Sequence, residues 1–113
     1  MVVVPVCDKD IRLVLRNLEH CREMLAGEKY AHPALVSYDD SVDGSIVKEV
    51  EKVFSNVRAL RYGKWSGYPQ WPYPQNHAWQ TAARHIEQHS NEESWFWWEG
   101  DAVPVKKEWI DRI

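Results

Sequence analysis

Apolar positions along this chain switch between two spacings. Val2, Val3, Val4 and Val6 form a short apolar run closed by Asp8, the pattern of a strand buried on both faces. From Ile11 the spacing becomes helical: Ile11, Val14, Leu15, Leu18, Cys21 and Leu25 share one face, Asp8 or Asp10 suits the start, and Gly27 suits the end. Ala34 to Tyr38 predicts a second strand, stopped by Asp39-Asp40-Ser41 and the turn residues Asp43-Gly44. Ile46, Val47, Val50, Val53 and Phe54 then mark a second helix whose opposite face carries Lys48, Glu49, Glu51 and Lys52, and Val57 to Tyr62 makes a third strand.

Each connection between these strands holds a full helix, which excludes hairpins and predicts parallel pairing with right-handed crossovers. Gly63 to Gln75 breaks the rhythm with Pro69, Pro72, Pro74 and the rings of Trp65, Tyr68, Trp71 and Tyr73, and reads as a long loop. Asn76 suits the cap of a third helix running to His89, with Trp79, Ala82, Ala83 and Ile86 inward. Trp95-Phe96-Trp97-Trp98 predicts a fourth strand ending at Glu99-Gly100-Asp101, and Trp109, Ile110 and Ile113 a last helical turn. The expected fold class is therefore α/β: a mostly parallel, Rossmann-like sheet of about four strands flanked by helices, built as one domain over residues 1–113.

Composition narrows the function. The 113 residues carry a net charge of −3 and no run of basic residues, which argues against nucleic acid as the partner. No stretch approaches the about 20 apolar residues of a membrane span. The first residues show neither a basic leader nor a long apolar segment, so the expected compartment is the cytoplasm. Cys7 and Cys21 are the two cysteines and form no Cys-x-x-Cys pair, which predicts reduced thiols rather than a disulfide or a zinc site.

Ligands of open parallel sheets bind at the carboxyl ends of strands. Here those ends are Pro5-Val6-Cys7-Asp8, Asp39-Asp40-Ser41 and Glu99-Gly100-Asp101. The first turn has neither G-x-G-x-x-G nor a lysine-bearing phosphate loop. Carboxylates cannot hold a diphosphate directly, but a hard divalent ion on one or two of them bridges to phosphate oxygens, and Glu99 and Asp101 are placed for that around a glycine that lets the backbone come close to a ligand. The plain alternatives are a solvated turn at Glu99 and a helix-capping loop at Asp39.

His85 and His89, four apart on a helix, have zinc-ligand spacing but lack a zinc-protease motif, which favours a solvated face. The rings of the 63–75 loop could stack on a sugar or a base, or close as a lid over the sheet edge. No serine sits in a nucleophile-elbow context.

These segments resemble the nucleotide-sugar-binding half of the GT-A glycosyltransferases, the family-two-like branch in particular. Val3-Val4-Pro5-Val6 is similar to the opening strand whose loop, here Pro5 and Cys7, lies against base and ribose. Val36 to Ser41 is similar to the second-strand motif with paired aspartates, which implies that Asp39 binds the base. Trp95 to Pro104 resembles the strand ending in D-x-D, with Glu in the first acidic position. That resemblance implies that Asp101 ligates Mn2+ or Mg2+ and that Glu99 faces the ribose or assists the metal.

The implied activity is glycosyl transfer from a nucleoside-diphosphate sugar to an unknown acceptor. In the family the acceptor half and catalytic base follow D-x-D, whereas this sequence ends at Ile113, so no base is carried over. The alternative is a truncated, noncatalytic nucleotide-binding or assembly module. Aromatic residues on both faces of the fourth strand, at the edge of a 3-2-1-4 sheet, predict exposed rings and a homodimer through that edge, or a fragment of a longer enzyme.

Overall fold

The computed structural model describes residues 1–112. Strands β1 (Val2–Val6), β2 (Ala34–Asp39), β3 (Val57–Tyr62) and β4 (Phe96–Trp97) form one sheet in the order β3-β2-β1-β4. Every pairing is parallel, with Val4 opposite Val36, Asp39 opposite Tyr62, and Val3 opposite Trp97. The α/β, Rossmann-like expectation holds, including the reversal of strand order at β1.

Helices cover both faces. Side chains alternate across a strand, so Val2, Val4, Val6, Val36 and Tyr38 meet α1 (Ile11–Leu25) and α2 (Ile46–Glu51), with Val53 and Phe54 filling the space beyond α2. Val3 and Leu35 point the other way, onto Ala82 and Ile86 of α3 (Tyr73–His89). β3 is the open edge, with Arg58, Ala59 and Arg61 exposed. No helix among the described residues is long and apolar enough to cross a membrane.

Several element boundaries depart from expectation for local reasons. α1 starts after Asp10, but the Asp10 carboxylate turns back to Cys7 and makes no cap bond. α1 ends on Ala26 and Gly27, both at positive φ, as a left-handed helix stop requires. α2 ends at Glu51 and continues as turns, because the Lys52 and Val53 amides bond three residues back, to Glu49 and Val50, and Val53 and Phe54 turn aside to bridge Tyr30. α3 begins at Tyr73, not at Asn76: Pro74 lies in its first turn, where a missing N–H costs nothing, and the Asn76 amide already bonds to the Pro72 carbonyl. Leu15 and Trp79 face outward.

The rings of β4 are partly covered by the chain itself. A 3-10 turn, η1 (Trp109–Arg112), brings Trp109 to ring-centroid distances of 5.9 Å from Phe96 and 5.0 Å from Trp98. Across the sheet, Trp95 lies 5.5 Å from Trp79 and 6.2 Å from Trp97. Trp98 is buried, and Trp95, Phe96 and Trp97 are half-buried, so the rings of this edge are less exposed than the sequence predicts. Ile113, expected in the last turn, lies outside the described residues.

Candidate functional site

The carboxyl ends of β1, β2 and β4 bring together three acidic segments, each held differently. After β1, Asp10 accepts from the Cys7 amide (3.0 Å) and from the Cys7 thiol (3.1 Å) through the same oxygen. Burial, and then the adjoining Asp10 carboxylate, push the Cys7 thiol above its ordinary range. Cys7 is thus a neutral hydrogen-bond donor rather than a nucleophile. Pro5, on the same face of β1, is half-buried.

After β2, Asp39 is buried, at 8% exposure, and its Oδ1 receives both the amide (2.8 Å) and the hydroxyl of Ser41. Both local donors go to one oxygen, which fixes the orientation of the carboxylate. Opposite it in register stands Tyr62, whose phenol is pushed up to about 12 by burial, with Asp39, Cys7 and Asp10 adding to the shift. Neutral Tyr62 therefore brings a hydroxyl donor to the same acidic environment. Its ring meets His77 edge-on at 5.5 Å, and His77 meets Trp65 at 5.3 Å.

After β4, Glu99 to Ala102 forms a turn closed by the Ala102 amide on the Glu99 carbonyl (3.1 Å). Asn17 of α1 clamps the turn, donating to the carbonyls of Gly100 (2.7 Å) and Ala102 (3.2 Å), and the Trp98 indole donates to the latter as well (2.8 Å). The turn is thus mounted on α1 and on Trp98. Glu99 and Asp101 are both exposed, and Glu99 accepts from the Trp97 indole at 2.8 Å through Oε1. The role expected for Gly100 needs correction. It is buried, and a β-carbon there would stand 3.2 Å from Val14 Cγ2 and 3.3 Å from Asp10 Oδ2, so the close approach it permits is to α1 and Asp10 rather than to a ligand.

Lysine 64 ties the 63–72 loop to this end of the sheet. Its amide donates to Asp40 Oδ1 (3.2 Å), and its ammonium pairs with Asp8 at 3.6 Å. Among the described residues, no three His, Cys, Asp or Glu side chains converge as a metal cage. The donor set on offer is two exposed carboxylates on one turn, which suits a hard ion that takes its remaining oxygens from phosphate and water.

A groove of about 400 Å³ lies elsewhere, beside the C-terminus of α1. Glu19, Arg22, Glu28 and Lys52 on its walls are engaged in ion pairs, and the groove sits at the amino end of the sheet, where parallel α/β folds do not carry their chemistry. His85 and His89 stack at 4.7 Å on the far half of α3, with His85 held below its ordinary range by burial, then by His89 and Arg58.

Sequence reasoning missed Asn17, Asp10 and Tyr62. Asn17 had a signal: it falls on the apolar stripe between Val14 and Cys21, where a polar side chain must find a buried partner. Tyr62 had none, since its role depends on register with Asp39. Comparison of the chain with protein-family models, with curated proteins and with solved structures returns no match.

Proposed function

We propose that this domain binds a nucleoside-diphosphate sugar at the carboxyl ends of β1, β2 and β4, through Mn2+ or Mg2+, for glycosyl transfer to an acceptor hydroxyl. The observation that carries the reading is the mounted Glu99–Asp101 turn beside β1, where strand order reverses.

Asp101 and Glu99 are the residues that would hold the ion, and when bound it offsets negative charge on the diphosphate leaving group. Asp39 presents a fixed carboxylate oxygen to an N–H of the base, and Ser41 holds it in that orientation. Pro5 and Cys7 form the floor under base and ribose. The acidity of the crevice makes the ion necessary, since Asp8, Asp10, Asp39 and Asp40 would otherwise repel a diphosphate.

The reading is tested by thermal unfolding with UDP-, GDP- and dTDP-sugars. One donor class is expected to raise the melting temperature when Mn2+ is present, through preferential binding to the folded state, and Asp39→Ala is expected to abolish the shift. A melting temperature that no donor moves in the presence of Mn2+ contradicts it.

A further inference from the structure

Four large rings stand exposed between β3 and the start of α3: Trp65, Tyr68 and Trp71 on the loop and Tyr73 as the first residue of the helix, with Trp71 at 78% and Tyr68 at 59% exposure. Beyond Lys64, the loop also braces itself. The Trp65 indole donates to the Tyr68 carbonyl (2.8 Å), and its ring lies over Gly67, where a β-carbon would press on the ring and push it aside. Tyr68 meets Tyr73 edge-on at 5.8 Å. Through His77, Trp65 continues the ring series into Tyr62 of the crevice.

The chemistry around the rings identifies the occupant. From Gly63 to Asn76 the one charged side chain is Lys64, already paired with Asp8. The other polar groups are neutral: the hydroxyls of Ser66 and the tyrosines and the amides of Gln70, Gln75 and Asn76. Nucleic acid or an anionic membrane would call for clustered cations. A stable protein interface takes about 800 Å² and 20–30 residues a side, more than residues 63–76 present. A neutral pyranose matches both features, with flat C–H faces for rings and an edge of hydroxyls for amides and phenols.

We propose that the segment 63–73, the loop and the first residue of α3, is a binding platform for a neutral saccharide. Binding itself stands apart from the nucleotide site; its identification as the acceptor rests on the glycosyl-transfer reading.

The test uses the full chain without nucleotide or metal, so that a failure of donor binding is read separately. Cellohexaose, maltohexaose, mannohexaose and N-acetylchitohexaose are titrated against tryptophan fluorescence, with a heparin hexasaccharide as the charged control. At least one neutral hexasaccharide is expected to bind saturably, and Trp71→Ala and Tyr68→Ala, at exposed positions that leave the circular dichroism unchanged, are expected to weaken it about tenfold or more. Three results overturn the proposal. They are binding of none of the four by the folded protein, binding that neither variant alters, and self-association in light scattering that Trp71→Ala removes.

Discussion

Asn17 on α1 donates its side-chain amide to the carbonyl of Gly100, 83 residues along the chain, at 2.7 Å. The bond is buried and joins the first helix to the acidic turn after the last strand. The acidic turn is thereby tied to α1.

Removing that clamp has a definite cost. Asn17→Ala leaves a buried carbonyl unpaired, for which about 1–3 kcal/mol is expected. Urea denaturation measures the loss, and the same variant is expected to weaken donor binding, because the turn is no longer fixed. Unchanged stability would mean that water replaces the amide without penalty.

Gly100→Ala introduces a methyl between Val14 and Asp10, both fixed by neighbours, at 3.2 and 3.3 Å. A destabilisation of about 1–3 kcal/mol is expected from this overpacking. Val14→Ala in the same chain is expected to recover part of it, a coupling that thermal unfolding of the single and double variants resolves.

Trp109 shields Phe96 and Trp98. Trp109→Ala is expected to cost about 3–5 kcal/mol and to uncover the aromatic edge, giving concentration-dependent self-association in light scattering. The unaltered protein is expected to scatter as a single species over the same range.

Alkaline pH is expected to destabilise the fold through Cys21. Burial pushes its thiol from an ordinary 9.0 up to about 11. Above pH 9 the unfolded chain loses this proton while the folded chain keeps it, so the folded state binds more protons and stability falls as pH rises. The stabilisation is complete below pH 9 and is lost as pH rises toward 11, on the order of 2 kcal/mol. Denaturation curves across that window check it, and Cys21→Val is expected to flatten the slope there. Tyr62, raised to about 12, extends the decline to higher pH.

The sheet was legible because Val2–Val6 and Ala34–Tyr38 carry continuous apolar runs and the intervening helices carry a clean stripe. Boundaries were less so. Asn76 resembles a cap, yet Pro72 and Pro74 start α3 earlier, and Asp10 resembles a cap but is recruited by Cys7. Within the candidate site, the clustering of acidic strand ends follows from topology and could be foreseen. The burial of Gly100 could not, because the sequence does not say which neighbour its missing side chain admits. The shielding of β4 was missed for a similar reason: Trp109 belongs to a short turn whose pattern does not reveal where it docks.

The most direct measurement is calorimetric titration of uridine diphosphate into the protein with and without Mn2+, repeated with Asp101→Ala. Asp101 is exposed, so the variant is expected to fold normally. The expected result is saturable binding that requires Mn2+ and disappears in Asp101→Ala. Absence of binding by the folded protein under both conditions, or binding indifferent to Asp101, would contradict the account.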